Sequence, residues 1–278
     1  MNGAPVFRGA GTALVTPMKS DLSVDYRALG ELIDIQTNAG IKALIVCGTT
    51  GEAATLSEAE KAEITAFTVR RAAGKAAVIA GTGSNDTAAA VRMTRAAEKA
   101  GADAVLAVTP YYNRTTQDGL IKHYEAICAI TVLPVIVYSV PSRGGVNIDP
   151  ETAKRLTRIP GIAGIKEASG NMAQITAIRA ACGDSLPVWS GSDDITVPIL
   201  SVGGCGVISV VSNAEPDAVR MMCEAFETGD VRTAYEIQLR LLPLIHSLFS
   251  KVNPIPIKKL LAERGLIEYV LRPPLYPE

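Results

Sequence analysis

A lysine at the end of an apolar run is the residue in this sequence that most clearly indicates covalent chemistry. Lys166 follows the segment 161–165 (GIAGI), which has the composition of a buried strand. An ammonium group there would enter a crowded interior, where desolvation disfavours the charged form. A neutral lysine amine attacks a ketone to form an imine, which then serves as an electron sink. An ion pair with Glu167 or another carboxylate is the alternative, and spacing alone leaves both readings open.

Further polar side chains follow other apolar runs. Tyr138 ends the run before that of Lys166, and a phenol on a neighbouring strand can pass a proton to a lysine nitrogen or a substrate oxygen. A lone tyrosine is more often a core residue with its hydroxyl in water. Thr49 and Thr50, followed by Gly51, offer hydroxyls and backbone N–H groups that suit a carboxylate or a phosphate. The same three residues also make an ordinary turn.

A loop arginine and a pair of tyrosines complete the candidates. Arg143 lies in the segment 141–145 (PSRGG), where it could bind a substrate carboxylate through two hydrogen bonds. A solvated loop arginine is the alternative. Tyr111 and Tyr112 follow another apolar run and could be surface aromatics, but paired tyrosines on a loop after a strand often mark a subunit interface or a pocket rim. Spacing does not decide between these readings.

Metal, disulfide and nucleotide chemistry lack the expected motifs. The five cysteines are scattered and odd in number, without a CxxC pair: Cys47, Cys128, Cys182, Cys205 and Cys223. The two histidines, His123 and His246, fall far apart in helical patterns, so they predict neither a metal site nor a Ser-His dyad. Neither GxGxxG nor GxxxxGKS occurs, which argues against a doubly wound nucleotide-binding sheet.

The elements that must position these residues repeat eight times. Apolar runs rich in β-forming residues alternate with amphipathic segments of helical length, which is typical of parallel strands covered by helices. The predicted strands are 12–16, 43–47, 77–81, 104–109, 135–138, 161–166, 188–190 and 206–210. We therefore predict an α/β fold, a (β/α)8 barrel over residues 1–229. Side chains at the C-terminal ends of its strands converge on one pocket.

Helix boundaries and a C-terminal appendage are also readable. Ser57 and Glu60 have capping-box spacing, and Asp149 precedes a proline suited to the first helical position. Gly40, Gly74 and Gly101 follow helical stretches that they can close with positive φ. After residue 229 the alternation stops, and residues 230–278 predict a helical region that packs directly on the barrel.

Composition limits the partners. The sequence has 27 basic and 28 acidic residues and no apolar run long enough to cross a bilayer, so we expect no nucleic-acid or membrane partner. Residues 1–8 lack the features of an export signal. We expect a cytoplasmic protein.

Five ordered motifs together resemble the dihydrodipicolinate synthase family, within the broader group of pyruvate-dependent lyases that includes N-acetylneuraminate lyase. The motifs are 48–52 (GTTGE), 108–113 (VTPYYN), 138–143 (YSVPSR), 164–168 (GIKEA) and 206–209 (GVIS), and the resemblance covers almost the whole chain. It implies a lyase that condenses pyruvate with L-aspartate 4-semialdehyde to give 4-hydroxy-tetrahydrodipicolinate, in lysine and diaminopimelate biosynthesis.

The resemblance also implies catalytic roles. Lys166 would form a Schiff base with pyruvate and Tyr138 would shuttle protons. Thr49 would be hydrogen-bonded between Tyr138 and a Tyr112 supplied by the neighbouring subunit of a homotetramer, a dimer of dimers.

The resemblance also implies four substrate-binding residues. Thr50 would hold the pyruvate carboxylate, and Arg143 would receive the carboxylate of aspartate semialdehyde. Gly191 and the backbone of Ile208 would shape the pocket. No cofactor or metal is implied.

The resemblance leaves two alternative functions open, and the sequence departs from the family pattern at three places. A sugar-acid lyase or keto-deoxy-sugar aldolase shares the lysine and the tyrosine, but it does not need Arg143; a non-catalytic keto-acid-binding barrel needs no amine beside a proton shuttle. Ser139 and Gly144 stand where the family more often has Asn and a small polar residue. The sequence ends before the final helix that relatives usually carry, so we expect the C-terminal region to lack it.

Inhibition by lysine, common in this family, is expected to be weak or absent here. Sensitive relatives bind lysine at the dimer interface with a carboxylate facing its ammonium. Ala89 stands at the position of that carboxylate, Ala53 lacks a hydroxyl, and Lys61 adds a cation. Glu58 is predicted to pair with Lys61 at helical i,i+3 spacing.

Overall fold

Eight parallel strands close into a barrel in the computed structural model, which describes residues 4–278. The strands are β1 (Gly9–Ala13), β2 (Ala43–Val46), β3 (Ala77–Gly81), β4 (Ala104–Val108), β5 (Val135–Ser139), β6 (Ile162–Glu167), β7 (Val188–Ser190) and β8 (Gly206–Ser209). Each strand pairs with its neighbours along the chain, and β8 pairs with β1. The predicted (β/α)8 fold is confirmed.

Helices follow every strand. They are α1 (Tyr26–Asn38), α2 (Glu58–Ala72), α3 (Thr87–Lys99), α4 (Gln117–Cys128), α5 (Pro141–Gly144), α6 (Pro150–Leu156), α7 (Met172–Cys182), α8 (Thr196–Ser201), α9 (Pro216–Glu227), α10 (Val231–Leu248) and α11 (Ile255–Glu263). Every residue of β2, β5 and β8 is buried, because one face of each strand points into the barrel and the other meets a helix. This double burial explains the uninterrupted apolar runs in the sequence.

The predicted helix boundaries are confirmed at the positions with specific local chemistry. Ser57 and Glu60 form both hydrogen bonds of a capping box, and the Asp149 side chain accepts from the Thr152 N–H before Pro150. Gly40, Gly74 and Gly101 have φ values of 78°, 76° and 86°. These short-range signals hold because they depend on residues within one helical turn.

The first strand was predicted three residues too late. It runs from Gly9 to Ala13 rather than over 12–16, because its register is set by pairing with β8, Gly9 beside Gly206. Glycine in β1 also serves packing: a Cβ atom at Gly11 would lie 2.8 Å from the Phe7 ring. Phe7 in turn stacks on Trp189 of β7 at 5.1 Å. Barrel closure therefore overrides the low strand propensity of glycine.

The helices after α9 pack on the barrel, as the sequence predicts. Leu241 and Ile245 of α10 and Leu261 of α11 share a buried cluster with Leu14, just after β1. The connection between α10 and α11 crosses the C-terminal ends of the strands and carries Asn253. Within residues 4–278, no helix combines the length and the apolar character needed to cross a membrane.

Candidate active site

Lys166 and Tyr138 lie side by side inside the barrel. They are register partners on β6 and β5, and both are buried. The Lys166 Nζ atom lies 4.3 Å from the centre of the Tyr138 ring. Glu167 points to the opposite face of β6, where its carboxylate accepts from the Ser169 N–H at 2.7 Å and burial raises its pKa. The alternative pairing of Lys166 with Glu167 is therefore wrong.

A cavity of about 300 Å³ opens beside the Lys166 amine, and we call it the inner cavity. Thr49, Thr50, Arg143 and Gly191 line it together with Lys166 and Tyr138, so the structure brings six of the predicted site residues to one place. Glycine at 191 leaves room for the lysine, because a Cβ atom there would lie 3.0 Å from Lys166 Cε and 2.6 Å from Ala168 Cβ.

Two predicted site residues do not line the inner cavity. Ile208 is buried and packs in the core cluster that includes Tyr138, whereas Val210, two residues further on, lines the cavity. Tyr112 is 91% exposed and has a φ of 68°, a strained conformation for a residue other than glycine. It lines a neighbouring cavity of about 470 Å³, the outer cavity, into which Thr49 and Tyr138 also face.

Asn253 joins the C-terminal region to the site, and sequence reasoning gave it no role. Its side-chain amide donates to Thr50 Oγ1 at 3.0 Å across 203 residues of sequence. Its backbone carbonyl accepts from the Arg143 guanidinium at 3.4 Å, and Arg143 lies on the single helical turn α5 rather than in an irregular loop. In the sequence, Asn253 and the proline after it mark only a break between two helical patterns, and nothing there indicates these partners.

A buried ion pair supports the loop that carries Thr49 and Thr50. Glu52 and Lys258 contact each other with side chains that are 1% and 0% exposed. The second Glu52 oxygen accepts from the Arg272 N–H at 3.0 Å, and burial lowers the pKa of Lys258. The sequence does carry one signal of this ion pair: Lys258 falls on the apolar face of α11, among Ile255, Ile257 and Leu261, where a buried charge needs a partner.

Asp193 supports the opposite wall of the inner cavity. Its carboxylate accepts from the backbone N–H groups of Val210 and Val211 at 2.9 and 3.3 Å, and burial raises its pKa. Asp193 thereby holds the segment after β8 against the cavity. No cluster of three or more metal-binding side chains occurs in residues 4–278.

Lys61 borders the outer cavity without the partner predicted for it. Glu58 instead pairs with Arg92 of α3 at 3.0 Å, so the predicted Glu58–Lys61 pair is wrong. Glu58 pairs with Arg92 because the Arg92 guanidinium on α3 lies closer to its carboxylate than the Lys61 amine, one turn further along α2. The Lys61 amine lies 3.5 Å from the Met93 sulfur, and burial lowers its pKa.

Comparison with known proteins gives a consistent picture. The model of the "Dihydrodipicolinate synthetase family" matches residues 6–278. A 4-hydroxy-tetrahydrodipicolinate synthase from Caldicellulosiruptor saccharolyticus is 50% identical over 94% of this chain and 88% of that relative. Crystal structures of dihydrodipicolinate synthase from Aquifex aeolicus and, with pyruvate, from Acinetobacter baumannii have TM-scores of 0.95 and 0.96. Their identities are 42% and 40%, and each match covers 98% of this chain and 93% of the other.

Proposed function

Because the chain belongs to the dihydrodipicolinate synthetase family, we propose that it condenses pyruvate with L-aspartate 4-semialdehyde to give 4-hydroxy-tetrahydrodipicolinate. The protein is a lyase of lysine and diaminopimelate biosynthesis. The observation that carries the chemistry is the buried Lys166 amine 4.3 Å from the Tyr138 ring, inside a cavity.

Pyruvate enters first in this proposal. The Lys166 amine attacks the keto carbon, and loss of water gives a Schiff base; Thr50 holds the pyruvate carboxylate through its hydroxyl and backbone N–H. Removal of a methyl proton converts the imine to an enamine, whose carbon attacks an aldehyde. Tyr138 carries the protons, and Thr49 orients its hydroxyl.

The aldehyde binds towards the mouth of the cavity. Arg143 receives its carboxylate there, and the contact with Asn253 limits the freedom of the guanidinium. After the new carbon–carbon bond forms, the amine of the former semialdehyde attacks the imine carbon. That attack closes the ring and releases Lys166.

The choice of aldehyde distinguishes the proposed synthase from the two alternative functions, a sugar lyase or aldolase and a non-catalytic barrel. We expect condensation with aspartate semialdehyde to exceed that with sugar aldehydes, since only a short carboxylate-bearing aldehyde uses Arg143. Initial rates with each aldehyde at saturating pyruvate measure this. Faster reaction with sugar aldehydes would favour a sugar-acid lyase or keto-deoxy-sugar aldolase, and pyruvate binding without turnover of any aldehyde would favour a non-catalytic barrel.

The proposal includes a cytoplasmic homotetramer, built as a dimer of dimers in which Tyr112 completes the neighbour's site. The exposed side chain and strained backbone of Tyr112 support this role, because strain of this kind persists where function requires it. Neither a cofactor nor a metal takes part in the proposed reaction.

Mixing two inactive variants tests the shared site. Lys166→Ala and Tyr112→Phe chains should each be nearly inactive alone and regain activity when mixed, because a mixed dimer contains one site with both side chains intact. Lys166→Ala mixed with Tyr138→Phe is the matched control: Lys166 and Tyr138 belong to one barrel, so no intact site can form. Absence of recovery in the first mixture, with subunit exchange shown by mass spectrometry, would place Tyr112 in its own subunit's site.

Lysine is expected to inhibit this enzyme poorly or not at all. The ammonium of a bound lysine would find no carboxylate at position 89, where this protein has alanine, and it would face the half-buried Lys61 amine. Glu58 cannot serve instead, because it is paired with Arg92. Loss of a partner for a desolvated charge costs about 2 to 5 kcal/mol, or roughly 30- to several-thousand-fold in affinity. Initial rates at saturating substrates, with lysine raised into the millimolar range, measure the effect. Half-inhibition at submillimolar lysine would contradict the expectation.

A further inference from the structure

The mouth of the inner cavity carries a cation that the proposed mechanism does not use. Lys251 lies in the connection between α10 and α11, and it lines the inner cavity together with Phe249 and Asn253. Its side chain is 55% exposed, unlike the buried Lys166 deeper in the same cavity. Lys251 is therefore placed to meet a molecule as it enters.

The charged side chains that line the inner cavity are all cationic. Arg143, Lys166 and Lys251 line it, and no carboxylate is among its lining residues in the described chain. Arg143 contacts the backbone of Asn253, two residues from Lys251. The Arg143 and Lys251 side chains are therefore both positioned by the connection between α10 and α11. A water-limited cleft lined by one sign of charge concentrates ligands of the opposite sign.

The Lys251 ammonium is already matched with a carboxylate, that of Glu278. The backbone of Glu278 is held in turn by hydrogen bonds with the Tyr269 hydroxyl, at 3.0 Å to its N–H and 3.2 Å to its carbonyl. Both partners of the ion pair are about half exposed, and pairs of this kind contribute little net free energy. A carboxylate arriving from solution can replace Glu278 at little cost.

We propose that Lys251 is a second carboxylate-binding residue, which recognises the aldehyde substrate together with Arg143 by exchanging Glu278 for the substrate's carboxylate. This inference rests on the proposed function and makes Lys251 a determinant of specificity. Pyruvate binds deeper, at Lys166 and Thr50, so Lys251 acts on the second substrate. Aldehydes without a carboxylate gain nothing from it.

Three single-charge variants test the exchange. Lys251→Gln should raise KM for aspartate semialdehyde about 3- to 10-fold, while KM for pyruvate and borohydride trapping of the pyruvate imine stay unchanged. Glu278→Gln should lower the same KM by about 2-fold, because it removes the competing carboxylate. Lys259→Gln, which removes the same charge from an exposed position on α11 outside both cavities, should change neither KM. Salt near 1 M, where screening acts over about 3 Å, should shrink the Lys251 effect.

Several outcomes would overturn the inference. An unchanged KM for the semialdehyde in Lys251→Gln would do so, as would an equal rise for both substrates, which would indicate general attraction of anions. A rise in KM in Glu278→Gln would show that the ion pair supports the site rather than competes for it. Failure of the proposed function looks different: the unmodified protein would then trap pyruvate without condensing the semialdehyde, or would trap no pyruvate.

Discussion

Borohydride added with pyruvate is expected to leave a reduced pyruvyl group on one peptide, the one that contains Lys166. Only an imine can be trapped in this way, and Lys166 is the lysine whose amine lies beside Tyr138 in the inner cavity. Lys166→Ala should show no trapped adduct and no turnover, because Lys251, the other lysine that lines this cavity, pairs with Glu278 at the mouth and does not lie beside Tyr138. Peptide mapping by mass spectrometry measures the site of labelling.

A paired variant separates imine formation from proton transfer. Tyr138→Phe retains the ring next to Lys166 and loses only the hydroxyl, so it should fold, still be labelled after prolonged incubation, and turn over about 10²-fold or more slowly. Circular dichroism and a thermal melt check that both variants are folded. Label on a different lysine would refute the mechanism, and an unchanged rate in Tyr138→Phe would remove its hydroxyl from the catalytic groups.

Lys258→Met is expected to destabilise the fold by about 3 to 5 kcal/mol, although Lys258 lies outside both cavities. The substitution nearly preserves volume but leaves the Glu52 carboxylate buried without its cation. The midpoint of urea unfolding, compared at an unchanged slope, measures the loss. Because Glu52 follows Thr49 and Thr50 in one short loop, KM for pyruvate should rise in the same variant.

Two further variants test whether the loss of stability in Lys258→Met comes from the broken ion pair. Lys259→Met, on the next and exposed residue of α11, should change stability by no more than about 0.5 kcal/mol. Adding Glu52→Gln to Lys258→Met should recover much of the stability, since removing both charges of a buried pair is often nearly neutral. If the double variant is less stable than Lys258→Met alone, the loss comes from packing rather than from an unpaired carboxylate.

Local patterns determined the repeat and the position of the candidate nucleophile. Eight apolar runs predicted the eight strands, and Ser57 and Asp149 predicted where helices begin, because a strand buried on both faces and a helix cap are each encoded within a few adjacent residues. Lys166 at the end of one run placed an amine at the C-terminal end of a barrel strand. The family resemblance added the roles of residues whose spacing alone left alternatives open.

Tertiary structure decided the contacts between residues distant in sequence. Asn253 reaches Thr50 across 203 residues and Lys258 reaches Glu52 across 206, while Glu58 selects Arg92 rather than Lys61. These partners come together only because the barrel closes and the connection from α10 to α11 then crosses its mouth. Periodicity reports which face of an element is buried, but it carries no information on which distant side chain that face meets. The first strand shows the same limit, since its register follows from pairing with the last one.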